Sequence, residues 1–158
     1  MKRVLFVCTG NVCRSPMATG LLRHRLQELG LADRVSAASA GVYALVGQPA
    51  SANAVTALAQ RGIDISDHVA HSLEIADVKA ADIVLVMEEA HRRSIFYNTP
   101  QHLGKAFLLT EMSGQHHDVK DPYGQPLPEY ERCAQELTQL IDQGMPQILR
   151  RLGLAARS

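Results

Sequence analysis

The stretch that decides the fold runs from residue 8 to residue 15 and reads Cys8-Thr9-Gly10-Asn11-Val12-Cys13-Arg14-Ser15. An apolar run at residues 4–7 precedes it, and a segment with helical periodicity begins at Pro16. A strand, a tight polar turn and a helix start therefore follow one another. Unpaired N–H groups at a helix start bind anions together with the helix dipole. The sequence thus predicts an anion-binding loop after the first strand.

Two side chains of this loop carry chemistry. Arg14 offers a fork of donors that can hold two phosphate oxygens at once. Cys8 lies at the mouth of the loop in the same positive field, which favours its thiolate. Taken alone, Cys8 fits a buried strand-end cysteine and Arg14 fits a surface cation. Their spacing around a helix start instead favours phosphoryl transfer through a cysteine nucleophile.

Other loop residues allow two interpretations each. Gly10 and Asn11 accept left-handed backbone angles, which turn successive N–H groups toward one anion, although a plain turn also uses them. Ser15 could cap the helix, donate to the Cys8 sulfur, or do both. Cys13 is either a small packed residue or the partner of Cys8 in a protective disulfide formed on oxidation.

The reaction also needs a general acid from outside the loop, because a phenolic oxygen leaves slowly unless it is protonated. Asp121 is the candidate, in the turn Asp121-Pro122-Tyr123-Gly124. The alternative is an ordinary Asp-Pro-X-Gly turn with no catalytic part. Tyr123 would line the pocket mouth and stack on an aromatic substrate, or be an exposed turn residue.

Composition is that of an ordinary globular protein, and we expect one domain over residues 1–158. Sixteen basic side chains balance sixteen acidic ones, which argues against nucleic-acid binding. No apolar stretch approaches the roughly 20 residues of a membrane span, and the N-terminus lacks a signal-peptide layout. Three cysteines do not make a disulfide framework. A cytoplasmic protein without membrane association is therefore expected.

Predicted strands and helices alternate along the chain. The strands lie at residues 4–8, 35–40, 82–87 and 105–110, and the helices at residues 16–29, 51–61, 73–80 and 88–97. A last helix has one apolar face, formed by Tyr130, Ala134, Leu137, Ile141 and Ile148. Gly144 and Pro146 should kink or break it. The alternation predicts an α/β fold with a parallel sheet and helices on both faces.

With Cys8, Arg14 and Asp121 in place, the chain resembles the low-molecular-weight protein tyrosine phosphatases of bacteria. The motif Val7–Ala18 is similar to that family's extended loop signature, which is much more specific than a bare Cys-x5-Arg. The similarity continues through residues 39–41, 62–64, 68–70, 82–83 with Met87, and 121–123, so it spans essentially the whole chain. The resemblance implies a four-stranded parallel sheet and hydrolysis of phosphotyrosine without a metal or other cofactor.

The resemblance also implies roles for individual residues. Cys8 would be the nucleophile, Arg14 the phosphate ligand and Asp121 the acid. A hydrogen-bond network that holds the loop would consist of Asn11, Ser15, Ser39 and His68. The residues expected to contact substrate are Thr9, Gly10, Asn11, Val12, Cys13, Ser15, Tyr43 and Tyr123. Thr9 departs from the family pattern, which more often has leucine there.

The implied partner is a tyrosine-phosphorylated protein, and a bacterial tyrosine kinase is one candidate. Phosphate and other oxyanions would occupy the loop. Two rival functions use the same loop: arsenate reduction and non-catalytic binding of phosphotyrosine. Arsenate reduction needs further cysteines to resolve an arsenylated Cys8, but Cys133 is expected to pack on the last helix. A pure binding module would not need nucleophile, anion ligand and acid together.

Two histidine-rich runs raise the question of a metal site. His91-Arg92-Arg93 is expected to be a solvated helix face, and His116-His117-Asp118 a loop. Neither run is therefore expected to bind a metal ion.

Overall fold

Strand β1, Lys2–Cys8, lies inside the sheet of the computed structural model, which describes residues 1–154. Residues 4–8 are all buried, as a strand covered on both faces requires. The sheet has four parallel strands in the order β2-β1-β3-β4. The predicted four-stranded α/β fold is confirmed.

The remaining strands are β2 at Val35–Gly41, β3 at Ile83–Val86 and β4 at Ala106–Leu108. The helices are α1 at Arg14–Glu28, α2 at Ala52–Ala59, α3 at Ile75–Ala80, α4 at Glu89–Asn98 and α5 at Leu127–Arg151. Two 3-10 segments, Pro100–Lys105 and Leu109–Ser113, flank β4. Each predicted strand and helix is therefore present, with shifted ends.

Alternate side chains of β1 enter two separate cores. Phe6 belongs to a cluster that includes Leu22 of α1 and Leu137 of α5. Val7 belongs to the opposite cluster, which includes Ile95 of α4. Helices thus cover both faces of the sheet, and β1 is anchored from both sides.

The chain reverses its winding direction at β1. From β1 it goes to β2 on one side, and later returns to β3 on the other side of β1. Such a switch point leaves a crevice at the carboxyl ends of the strands, where ligands bind in open parallel sheets. The loop that starts at Cys8 leaves β1 at this position.

Two element ends differ from the prediction for local reasons. Helix α1 begins at Arg14, its N-cap residue Cys13 makes no side-chain cap, and Ser15 lies inside the helix. The prediction that Ser15 caps the helix is therefore wrong. Strand β4 ends at Leu108, two residues early, because the Glu111 carboxylate accepts the Leu108 N–H at 2.9 Å and starts a 3-10 turn.

Helix α5 runs without a break through Gly144 and Pro146, so of the predicted kink or break, the break is wrong. A Cβ at Gly144 would lie 2.8 Å from Cβ of Met112, so glycine lets α5 approach the 3-10 segment after β4. Met145 and Ile148 are buried on either side of the proline. The free energy gained by burying these side chains outweighs the loss of the one helix hydrogen bond that proline cannot donate.

Among residues 1–154, no helix combines the length and the apolar character needed to cross a bilayer.

The close approach of β2 to the Cys8 loop yields a first prediction. A Cβ at Gly41 would lie 2.6 Å from the Thr9 carbonyl oxygen and 3.0 Å from Cβ of Asn11. Gly41→Ala must therefore displace the loop backbone, and we expect the free energy of unfolding to fall by about 1–3 kcal/mol. Phosphate affinity should fall as well, since the loop shifts. Urea titration and calorimetry with inorganic phosphate measure the two effects.

Gly104→Ala is the matched control, because a Cβ there meets nothing within 4 Å. It should leave both quantities unchanged. Unaltered stability and phosphate affinity in Gly41→Ala would contradict the tight approach of β2 to the loop.

Candidate active site

The backbone of residues 8–13 turns every carbonyl oxygen away from the centre of the loop. The N–H groups of Val42, Tyr43, Leu45, Ser51 and Met17 donate to the carbonyls of residues 8, 9, 10, 12 and 13, at 2.8 to 3.1 Å. The remaining carbonyl, at residue 11, accepts from a histidine side chain. Within residues 1–154, the N–H groups of residues 10–13 donate to no loop, cap or side-chain hydrogen bond. These N–H groups are therefore free to meet an anion.

Asn11 makes this geometry possible. Its φ is 61°, and among the described residues it is the only non-glycine residue with positive φ. Of the two residues expected to accept left-handed angles, only Asn11 uses them, since Gly10 has no positive φ. Asparagine tolerates this region better than most residues.

The side chain of Asn11 is held at every polar atom. Nδ2 donates to Oγ of Ser15 at 2.8 Å and to Oγ of Ser39 at 2.9 Å. Oδ1 accepts the His71 N–H at 2.8 Å, and Nε2 of His68 donates to the Asn11 carbonyl at 2.7 Å. The network expected among Asn11, Ser15, Ser39 and His68 is thus present in the structure. The fully buried Asn11 and Ser15 side chains lie behind the pocket, outside its lining.

Cys8 ends β1 with its sulfur 2.9 Å from Oγ of Ser15. Ser15 Oγ already accepts from Asn11, so its own proton is available for the sulfur. Once Cys8 is a thiolate, Ser15 alone of the pair can donate. The hydroxyl therefore stabilises negative charge on this sulfur.

Arg14 is 1% exposed, and its guanidinium has one occupied side and one open side. Nη1 donates to Oε2 of Glu88 at 2.5 Å and to the Val119 carbonyl at 2.7 Å. Nε is buried without a hydrogen-bond partner, and Nη2 has only long contacts, to Thr9 Oγ1 at 3.4 Å and to Asp121 Oδ2 at 3.5 Å. An unpaired buried donor is costly, so the Nε–Nη2 edge is suited to two oxygens of one anion.

A pocket of about 170 Å³ opens above the sulfur. Its lining consists of Cys8, Thr9, Gly10, Val12, Cys13, Arg14, Tyr43, Leu45, Asp121 and Tyr123. The Asp121 side chain is 42% exposed, so it can exchange a proton with solvent. Oδ1 of Asp121 also accepts the Tyr123 N–H at 3.1 Å, as an Asp-Pro turn predicts. The catalytic and turn interpretations of Asp121 are thus compatible.

Two residues around Arg14 were missed by sequence reasoning. Glu88 follows β3 at the same sheet edge as Cys8, and this position was the only signal for its part in the site. His91 was expected on a solvated helix face and is instead 2% exposed, so that expectation is wrong. It sits on α4 with Nε2 at 2.9 Å from Oγ1 of Thr9. The two arginines that follow His91 in the sequence suggested an exposed helix face, although the His91 ring points inward.

Cys13 is packed under the loop. Its sulfur lies 3.1 Å from Oγ of Ser51 and 3.4 Å from the Tyr130 hydroxyl. Burial raises the pKa of the Cys13 thiol, despite hydrogen bonds from both hydroxyls that lower it. Cys133 lies on the buried face of α5, as expected, and burial raises the pKa of its thiol to about 12.

His116 and His117 lie in an exposed loop, as predicted. Over residues 1–154, no cluster of three or more His, Cys, Asp or Glu side chains is arranged to hold a metal ion.

Comparison with known proteins places this site in a family. A family model for low molecular weight phosphotyrosine protein phosphatases matches residues 3–153. EpsP of Ralstonia nicotianae, a probable low molecular weight protein-tyrosine-phosphatase, is 41% identical over 148 residues, covering 94% of this chain and 97% of that protein. A protein-arginine-phosphatase of Geobacillus stearothermophilus is 40% identical over 141 residues, covering 89% and 91%.

Among solved structures, the low molecular weight protein tyrosine phosphatase of T. tengcongensis has the same fold. It superposes with a TM-score of 0.88 at 48% identity, covering 93% of this chain and 99% of that one. The residues that the family model matches include the loop of residues 8–15, the buried Arg14 and the Asp121 turn. The chain belongs to the low molecular weight phosphotyrosine protein phosphatases.

Proposed function

We propose that this protein hydrolyses phosphotyrosine in proteins through a phosphocysteine on Cys8. The Nε–Nη2 edge of Arg14 carries the proposal, because Nε is buried without a partner, Nη2 has only long contacts, and Arg14 lines the same pocket as Cys8. The inward N–H groups of residues 10–13 add donors on the other sides of the same point. A phosphoryl group has the charge and the oxygens that such a cradle requires.

In the first step, the Cys8 thiolate attacks phosphorus in line with the leaving oxygen. The S–P bond forms while the P–O bond to the phenol breaks. Arg14 and the loop N–H groups hold the equatorial oxygens, and Asp121 transfers its proton to the leaving oxygen. Fixed donors around the transferring group supply most of the rate enhancement in such reactions.

In the second step, water attacks the phosphocysteine and the S–P bond breaks. The Asp121 carboxylate takes the proton of the attacking water, and inorganic phosphate leaves. Ser15 stabilises the departing sulfur through its hydroxyl, which lies 2.9 Å away. The thiolate is thereby restored for the next turnover.

The walls of the pocket support an aromatic substrate. Val12 and Leu45 provide apolar surface, and the exposed rings of Tyr43 and Tyr123 line the mouth. A phenyl ring can pack against these groups. Phosphoarginine, suggested by the relative from Geobacillus stearothermophilus, would bring a guanidine whose N–H groups need acceptors. Asp121 offers one in the pocket lining, but the side chains of Val12 and Leu45 offer none.

Arsenate reduction receives less support. Besides the Cys8 and Cys13 thiols of the loop, it requires a further thiol that can take over the disulfide and then be re-reduced, and Cys133 is the only cysteine outside the loop. Cys133 is 6% exposed, and its thiol has a pKa of about 12, chiefly because of burial. A protonated, enclosed thiol is a poor resolving nucleophile.

We further propose a tyrosine-phosphorylated protein as partner, with a bacterial tyrosine kinase as one candidate. A cytoplasmic location accords with three cysteines that are all free thiols.

Substitution of the nucleophile and of the acid tests the mechanism. Cys8→Ser should retain phosphate binding and lose turnover. Asp121→Asn should lower kcat by about 10²- to 10⁴-fold on phenyl phosphate, whose leaving group needs a proton, and by less on p-nitrophenyl phosphate. Steady-state kinetics with both esters, a phosphotyrosine peptide and phosphoarginine measure these effects.

Asp118→Asn is the matched control, because Asp118 lies in the same loop and only caps α4 through the Glu89 N–H at 2.9 Å. It should have nearly the turnover of the wild type. Equal losses on both aryl esters would remove Asp121 from the acid role. Faster turnover of phosphoarginine than of the phosphotyrosine peptide would overturn the proposed substrate, and loss of activity with EDTA would overturn a metal-free mechanism.

Oxidation gives a separate prediction for Cys13. Peroxide converts the Cys8 thiolate to a sulfenic acid, and attack by the Cys13 thiol would form a disulfide and release water. We expect dithiothreitol to restore most of the starting activity of oxidised wild type. Cys13→Ser should recover little of its own starting activity, because Cys8 proceeds to the irreversible sulfinic acid.

Cys133→Ser is the control for this experiment and should recover as the wild type does. Mass mapping identifies the Cys8–Cys13 linkage directly. Over-oxidised Cys8 beside a free Cys13 thiol in the wild type would disprove the protective disulfide.

A further inference from the structure

We propose that His91 is a positioning residue, which fixes the Thr9 hydroxyl as an additional donor to the phosphoryl group in the pocket. This inference rests on the proposed function of the pocket, and it assigns work to a buried ring that the mechanism above does not use. The hydrogen bond between His91 and Thr9 joins α4 to the first residue after Cys8.

The hydrogen bonds of His91 determine which ring nitrogen carries the proton. Nδ1 receives the backbone N–H of Glu88 at 3.1 Å, so Nδ1 is an acceptor. In the neutral ring, Nε2 must then carry the hydrogen. Nε2 lies 2.9 Å from Oγ1 of Thr9, and it donates to that oxygen.

The ring stays neutral at ordinary pH. Burial, and then the positive charge of Arg14, lower the pKa of His91 to about 4, although the carboxylates of Glu88, Asp118 and Asp121 act in the opposite direction. The direction of the His91–Thr9 hydrogen bond is therefore set before any substrate arrives.

The Thr9 hydroxyl has one proton and two lone pairs. His91 Nε2 donates to one lone pair, and Arg14 Nη2 approaches the same oxygen at 3.4 Å. With both acceptor positions facing donors, the hydroxyl proton must point elsewhere. Thr9 lines the pocket together with Cys8 and Asp121, so the proton is available to a phosphoryl oxygen.

A donor oriented in advance costs no reorganisation when charge develops on the substrate. Without His91, nothing would fix the rotation of the hydroxyl, which could then turn a lone pair toward the substrate instead of its proton. His91 also accepts the Glu88 N–H. Glu88 is the residue whose carboxylate binds Arg14. In a variant that keeps an acceptor for the Glu88 N–H, loss of the ring should weaken phosphate binding through Thr9 and leave Arg14 in place.

Two matched pairs of variants test the inference. Thr9→Val removes the hydroxyl at nearly constant shape, whereas Thr9→Ser retains it. His91→Asn keeps an acceptor for the Glu88 N–H but is too short to reach Thr9, whereas His91→Gln can place an amide N–H near the position of Nε2. The double variant of Thr9→Val and His91→Asn completes a double-mutant cycle.

The first readout is the dissociation constant of inorganic phosphate, measured by calorimetry in the Cys8→Ser background. We expect Thr9→Val and His91→Asn each to weaken binding by about tenfold to a hundredfold, the range for a hydrogen bond to a charged group. The double variant should be no weaker than either single one. Thr9→Ser and His91→Gln should retain most of the affinity.

The second readout is kcat and KM for p-nitrophenyl phosphate in variants with Cys8 intact, with thermal unfolding measured beside it. We expect kcat/KM to follow the same order as phosphate affinity, while the rescue variants recover activity. Wild-type affinity in Thr9→Val, or additive losses in the double variant, would overturn the inference. Losses in His91→Asn that track the unfolding temperature, with no rescue by Gln, would make His91 merely structural.

The phosphate readout does not depend on turnover. A protein that binds phosphate in the expected order but hydrolyses no ester would refute the proposed function and leave the Thr9–His91 pair standing.

Discussion

The loop of residues 8–13 can turn its N–H groups inward only because other groups hold its carbonyl oxygens outward. Each carbonyl of residues 8–13 has a partner, and the partners come from the segment after β2, from α1 and from His68. Buried carbonyl groups without hydrogen-bond partners would destabilise this loop conformation, because their lost hydration would not be replaced. The surrounding elements thus supply hydrogen-bond donors to the loop carbonyls, and the shape of the site follows from these bonds. Asn11 is where this constraint is tightest, because it is the reversal point of the backbone.

Residues distant in sequence meet at this loop for the same reason. The parallel register sets Cys8 of β1 beside Gly41 of β2, and only a glycine leaves room for the Thr9 carbonyl at that spacing. Ser39 lies two residues before Gly41 on β2, and its hydroxyl binds the Asn11 side chain. The switch of winding direction at β1 brings the end of β3 to the opposite side. Sheet order therefore decides which side chains can support the loop.

This dependence explains how much of the site can be predicted from sequence. Cys8, Arg14 and the loop between them are local, so strand, turn and helix signals suffice to locate them. Asp121 is distant in sequence, and only the need of the proposed reaction for an acid made it a candidate. Glu88 and His91 act through Arg14 and Thr9, and no chemical demand of the reaction points to them. The Val119 carbonyl on Arg14 is a backbone group, for which a sequence carries no signal.

Arg14 shows why such hidden partners matter. A buried guanidinium with five donors cannot give all of them to a substrate that comes and goes. Here Nη1 is satisfied permanently by Glu88 and by a carbonyl, which leaves the Nε–Nη2 edge for the ligand. The same Glu88 donates its backbone N–H to His91 and so determines the hydrogen-bond direction at Thr9. One residue at the end of β3 thus orients the guanidinium through its side chain and the hydroxyl through its backbone.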